Sequence, residues 1–153
     1  MIKEYQDEGK SRNVDLEELS ANFCAHVQEI LSWEVRHRPD RVKETELWLI
    51  ESNECIGTVR IRHELNNNLV NIGGHIGYGI RPSRRGRGYG KIILKLALDE
   101  CKKMGILKVL ITCSPDNIAS KKIIEYNGGL LENEIYAKLD GKTRRTLRYW
   151  IYL

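Results

Sequence analysis

Proline, long hydrophobic runs and closely spaced cysteines are scarce or missing in this chain, and each shortage removes a class of protein. Only 3 of the 153 residues are Pro, and no low-complexity tract, linker or internal repeat interrupts the sequence. Disordered, collagen-like and repeat architectures are therefore excluded. No apolar run reaches the roughly 18 residues of a membrane-crossing helix, so no membrane partner is expected. The opening MIKEYQDEGK has no apolar stretch of the kind a secretory leader needs, so the chain reads as cytoplasmic. Cys24, Cys55, Cys101 and Cys113 show no CxxC spacing and no histidine at zinc-ligand spacing. They read as buried or half-buried free thiols, and no metal is expected.

What is present is a globular balance: 41% hydrophobic and 30% charged residues. The length suits one domain over residues 1–153, able to bury roughly 70% of its unfolded surface without disulfides or metals. Net charge is +4, but its placement matters more. Arg81, Arg84, Arg85, Arg87 and Lys91 fall within eleven residues that hold no acid, interleaved with Gly86, Gly88 and Gly90. A basic, glycine-rich stretch is where an anion would bind.

Hydrophobic periodicity supplies the organisation. From Asp15, DLEELSANFCAHVQEILSWEVR reads as one helix, with Leu16, Leu19, Phe23, Val27, Ile30 and Leu31 on its apolar face. Asp15 is its expected N-cap. Residues 36–43, charged and containing Pro39, read as a loop. Leu47–Ile50 and Cys55–Arg62 read as strands around a polar turn, and 64–71 as a further turn. Residues 73–81 form a glycine-interrupted strand. The helix after Lys91 should present Ile92, Ile93, Leu96, Ala97, Cys101 and Met104 to the core, stopping at Gly105. Residues 107–113 read as a buried strand. Ser114-Pro115-Asp116-Asn117 then caps a helix over Ile118–Tyr126. Strands near 130–137 and 144–152 follow, turning at Asp140-Gly141. MIKEYQDEGK itself reads as helical. The order implies a mixed α/β layer, with a crossover that makes 73–81 and 107–113 a parallel pair.

The strand, the loop Arg84–Gly90 and the following helix form the informative unit. A helix N-terminus offers unpaired N–H groups and partial positive charge, and glycines let a phosphate approach the backbone. A Walker A loop would need Gly at 85 and Ser or Thr at 92, where Arg85 and Ile92 stand. A dinucleotide fingerprint would need G-x-G-x-x-G, but the loop runs G-x-G-x-G. The pattern that fits is R-x-x-G-x-G, from Arg85, Gly88 and Gly90.

R-x-x-G-x-G at a strand-to-helix junction, followed by TCSPDNIASKKIIEYNGG, resembles the GNAT superfamily of acetyl-CoA-dependent N-acetyltransferases over about residues 45–152. The resemblance implies the acyl-CoA N-acyltransferase fold: a mostly antiparallel sheet flanked by helices, with a splayed parallel strand pair. It implies acetyl-CoA as cofactor. Its pantetheine would pair with the backbone of Tyr78, Gly79, Ile80 and Arg81. The pyrophosphate would rest on N–H groups of Arg85, Gly86, Arg87, Gly88, Tyr89, Gly90 and Lys91. Asn117 would contact pantetheine, with Ser120 and Lys121 towards the nucleotide. The Ile80 N–H would donate to the thioester oxygen. The acceptor would be a primary amine of a small molecule or peptide, and a homodimer is among the expectations; clustering of charge around one loop suits a polyanionic cofactor rather than nucleic acid.

The chain departs from the family at the general acid, a tyrosine seven residues after the asparagine, where Ile124 stands. Tyr126 lies about 200° further around a helix. Either it swings in, another group acts, or the thiolate leaves unassisted. Glu64, His63 and His75 are the candidate bases. An alternative is a non-catalytic acyl-CoA-binding or sensor module on the same fold. Trp33, Trp48 and Trp150 read as core, and Arg144, Arg145 and Arg148 as surface charge. The family's usual first strand is not expected here.

Overall fold

The computed structural model describes residues 1–11, 13–36, 41–139 and 141–153. The chain opens with a helix, α1 (Ile2–Asp7), in the segment that reads as helical. The single long helix expected from Asp15 is two: α2 (Leu16–Ala21) and α3 (Phe23–Ser32). Asp15 caps α2, its carboxylate accepting the N–H groups of Glu17 and Glu18. The break is at Asn22, whose side-chain amide donates to the Glu18 carbonyl and competes with the helical ladder. The expected apolar face is only partly used: Ile30 is buried, while Phe23 and Leu31 are about half exposed. Cys24 is exposed, unlike the half-buried Cys55 and Cys113 and the buried Cys101. His37 and Pro39, in the expected 36–43 loop, lie outside the described residues, as does Asp140 of the last turn.

Two three-stranded sheets follow. β1 (Glu44–Glu51), β2 (Glu54–Arg62) and β3 (Ile76–Ile80) form the first, all antiparallel. β4 (Lys108–Cys113), β6 (Lys142–Tyr152) and β5 (Leu130–Leu139) form the second, with β6 in the middle. The turn expected at 64–71 holds a short helix, α4 (Asn67–Asn71), because the Asn66 side chain caps the Leu69 N–H. The 73–81 strand starts only at Ile76. Gly73 and Gly74 sit at φ +116° and +62°, outside extended geometry.

Helix α5 (Tyr89–Lys103) packs on β2 and β3, and α6 (Ile118–Tyr126) packs on α5 and β4. The buried face of α5 is Ile93, Leu94, Ala97, Leu98 and Cys101. Ile92, Leu96 and Met104, expected inside, are exposed. The run KIILKLAL is apolar on more than one face, so contacts with β2 and β3 choose the face. The core joins this face to Val59, Ile61, Ile76, Val109, Ile111, Tyr149 and Ile151. Trp33, Trp48 and Trp150 are all half-buried.

Candidate acyl-CoA site

The site begins with the edge of β3. Arg81 donates its N–H to the Ile56 carbonyl at 2.9 Å, and Arg62 donates to the His75 carbonyl at 2.8 Å. In an antiparallel pair these bonds alternate along the strand. Gly77 and Gly79 therefore turn their backbone groups to β2, and Tyr78 and Ile80 turn theirs away from it. The Ile80 carbonyl is met on that outer side by the Tyr5 hydroxyl at 2.9 Å and by Arg85 Nε at 3.1 Å.

β3 and β4, expected as a parallel pair, belong to different sheets. Their joint is at His75. Its N–H donates to the Leu110 carbonyl at 2.7 Å, and its ring Nδ1 accepts the Leu110 N–H at 2.9 Å. Gly74 fits beneath it because a Cβ there would lie 2.4 Å from the Leu110 carbonyl oxygen. Beyond the joint the strands part, and two cavities open. The first, about 440 Å³, is lined by Tyr5, Ile80, Arg85, Gly86 and Gly90 among others. The second, about 710 Å³, is lined by Arg62, Gly77, Asp116, Thr143 and Arg144 among others. Tyr78, Asn117 and Ser120 line both.

Gly86 and Gly88 have φ +75° and +85°, and a Cβ on either would meet nothing within 4 Å. The requirement there is conformational, not steric. Gly88 is the N-cap of α5 and brings no side chain to its first N–H groups. Gly90 is different: a Cβ would lie 2.4 Å from Ile123 Cδ1, so it lets α5 approach α6 closely. Three of the five clustered cations already hold carboxylates. Arg81 pairs with Glu4 and Glu54, Arg84 with Glu54, and Arg85 takes both oxygens of Glu8. Glu4 also accepts the Ser83 N–H at 2.9 Å. The Arg81 guanidinium is the main reason the Glu4 carboxyl is pulled down to about 2. Hydrogen bonds from Arg85, then Lys10, lower Glu8. Lys91 sits 3.8 Å over the Tyr126 ring, and Arg87 is exposed.

The Asn117 side chain caps α6, accepting the Ser120 N–H at 3.0 Å. The Tyr78 hydroxyl lies 3.0 Å from Ser120 Oγ. Burial pushes the Tyr78 phenol up to about 12, against the lowering effect of that hydrogen bond. Lys121, half-buried on α6, lines neither cavity. Nor do the remaining candidates. Tyr126 is 66% exposed on the Lys91 side. Glu64 is exposed in the bend after β2. His63 Nε2 is held 2.9 Å from Thr45 Oγ1. His75 is buried, and burial lowers its pKa, with the Arg62 charge adding to the effect. Ile124, at the family's tyrosine position, is fully buried. Sequence reasoning missed the side chains of Tyr78, Asp116 and Tyr5. Tyr78 was legible as a lone aromatic between Gly77 and Gly79, but its direction was not.

Among the described residues no helix is long and apolar enough to cross a membrane, and no group of three His, Cys, Asp or Glu side chains is placed to hold a metal. The family model for the Acetyltransferase (GNAT) domain matches residues 9–129, and the chain belongs to that family. Mycobacterium smegmatis RimJ, in complex with CoA-disulfide, is similar at TM-score 0.65 and 23% identity, over 86% of this chain. This chain spans 61% of that one's length. An acetyl transferase from Salmonella typhimurium, which modifies an N-terminal serine of a 50S ribosomal subunit protein, is similar at TM-score 0.63 and 22% identity. That match covers 84% of this chain and 72% of the other. The spermidine/spermine N-acetyltransferase SpeG from Vibrio cholerae is similar at TM-score 0.60 and 17% identity, over 90% and 76% of the two chains. A search of curated proteins found no sequence match.

Proposed function

We propose that this chain transfers acetyl from acetyl-CoA to a primary amine. The observation that carries the reading is the outward edge of Tyr78 and Ile80, opening on a cavity that reaches the positive-φ Gly86 of the loop. Those elements fit the cofactor. An outward strand edge accepts a pantetheine chain as an added strand. Bare N–H groups from Gly86 to Gly90, at the start of a 15-residue helix, accept a pyrophosphate. The complex of RimJ with CoA-disulfide supports the assignment.

Bound acetyl-CoA supplies an activated thioester carbonyl. In net terms the amine nitrogen gains the acetyl carbon and loses a proton, while the departing sulfur gains one. The Ile80 N–H, on the outward edge, is the donor for the oxygen on which negative charge develops. Asn117, with its carbonyl oxygen committed to the Ser120 N–H, has its amide donors for the cofactor chain. The Tyr78–Ser120 hydroxyl pair lines both cavities and provides the proton for the leaving sulfur. It takes the role that Ile124 cannot. Asp116 is the carboxylate lining the second cavity, which receives the amine.

Calorimetric titration with acetyl-CoA followed by thiol release over an amine panel tests this. The expected result is micromolar-range binding and acceptor-dependent thiol release. No binding at millimolar acetyl-CoA overturns the site. Binding without release for any amine makes the chain an acyl-CoA sensor.

A further inference from the structure

The second cavity carries information about the acceptor. β4 ends at Cys113, opposite Leu147, whereas β6 begins at Lys142. The stretch Thr143–Thr146 therefore extends past the end of β4 and walls the cavity. It adds Arg144 and Arg145 to a lining that already holds Arg62, against Asp116 as the one carboxylate.

These cations are not equivalent. Arg145 is held by Glu134 at 2.7 Å. Arg62 is anchored by the carbonyls of Gly73 and Gly74, at 3.2 and 3.0 Å, with Glu44 3.9 Å away. The carbonyls fix its position, and Glu44, shared with Arg41 and Arg60, offsets its charge only in part. The Arg144 side chain makes no ion pair or hydrogen bond among the described residues. The wall thus presents one unpaired guanidinium and one anchored by backbone. Asp116 lies beside Asn117 and Ser120, the residues shared with the first cavity. Negative charge sits near the reacting end, and positive charge lies in the same cavity's walls.

We propose that the acceptor is an amine that also carries a carboxylate, its amine end beside Asp116 and its carboxylate taken by Arg144 and Arg62. The assignment rests on the acetyltransferase reading and narrows it. A polyamine would bring several positive charges to three guanidiniums, which like-charge repulsion disfavours. A carboxylate meets a planar fork that matches it in charge and shape. Free amino acids and acidic peptide termini share this chemistry.

The experiment uses the whole chain saturated with acetyl-CoA, in thiol-release assays, and with CoA, in calorimetric titrations. The probes are alanine and serine, their α-amides, an alanine tripeptide with a free C-terminal carboxylate, and spermidine. Carboxylate-bearing amines should exceed their amides in kcat/KM and in affinity by about 10-fold or more, the ratio a charge-assisted hydrogen bond gives. Arg144→Gln should collapse that ratio towards one, and Arg144→Lys should restore part of it. The free amino acid against the tripeptide tells the two sources apart. Equal use of amides, preference for spermidine, a ratio unchanged in Arg144→Gln, or no carboxylate amine binding the CoA-loaded protein each overturns the proposal. Failure of CoA itself to bind refutes the acetyltransferase reading instead.

Discussion

The Tyr5 hydroxyl donates to the carbonyl of Ile80, across 75 residues of sequence, on the outward edge where a pantetheine amide would pair. With Arg85 Nε on the same oxygen, both acceptor positions of that carbonyl are taken. In the proposed binding mode, cofactor entry requires Tyr5 or Arg85 to release it. Tyr5→Phe should tighten acetyl-CoA binding by about fivefold, the factor of one net hydrogen bond. Calorimetry checks this, and an unchanged or weaker affinity would show that Tyr5 serves as a wall of the site and not as a competitor.

Glu4 and Glu8 hold the same helix on the loop, and both carboxyls are depressed by their arginine partners. A depressed carboxyl contributes stability that is complete above its unfolded value of 4.5 and lost as pH falls through the folded value. For Glu4 that window runs from 4.5 down to about 2. Helix α1 should stay seated at pH 5 and detach between pH 4 and 2. Glu4 is half-buried and Glu8 exposed, so the effect is local and weakened by salt. Carboxyl NMR titration of Glu4 follows it, and a midpoint at the ordinary value would mean the Arg81 contact does not persist in solution.

The backbone of the loop and the cap of α6 were legible because their signals are local. Gly86 and Gly88 mark left-handed backbone, and Asn117 is a helix cap three residues before the N–H it binds. The side-chain arrangement around the cavities was not legible, because its geometry is tertiary. His75 looked like a base at a strand end, yet its ring turns inward to Leu110, 35 residues away. Tyr78 was read for its backbone, and nothing in GYG says that its hydroxyl meets Ser120. The basic run looked free, but the carboxylates that hold it come from Glu4, Glu8 and Glu54, far away in sequence.

The loop gives a sharp test. Gly88 at φ +85° costs an L-residue roughly 1–2 kcal/mol, and a Glu there adds negative charge where a pyrophosphate would sit. Arg85→Ala with Gly88→Glu should abolish acetyl-CoA binding while circular dichroism stays native, since both residues are exposed. Gly88→Ala alone should weaken binding by a smaller factor. Surviving affinity in the double variant would move the cofactor elsewhere.

The joint at His75 should make the fold acid-sensitive. Its pKa is lowered by burial first and then by the Arg62 charge, so the neutral ring is the folded form. Its contribution is complete above the unfolded value of 6.5 and declines as pH falls from there towards the lowered folded value. Thermal unfolding should show the wild type losing stability between pH 7 and 5. His75→Ala should flatten that slope while costing about 1–3 kcal/mol at pH 7, because the buried Leu110 N–H loses its acceptor. A variant with the wild-type slope would place the titration on another group.

The Tyr78–Ser120 pair lies where the two cavities meet, and the phenol, raised to about 12, keeps its proton throughout the working range. A proton donor to a leaving sulfur should act on turnover more than on binding. Tyr78→Phe should lower kcat by about 10²-fold, the low end of general acid catalysis, with acetyl-CoA affinity changed less than threefold. Ser120→Ala breaks the hydrogen bond but leaves the phenol, so its loss should be smaller, and the double variant should fall no further than Tyr78→Phe. A model thioester with a more acidic thiol should be transferred almost equally well by Tyr78→Phe and wild type, since such a sulfur leaves without a proton. If instead the variant loses the same factor with every leaving group, Tyr78 acts by shaping the cleft and the proton comes from solvent.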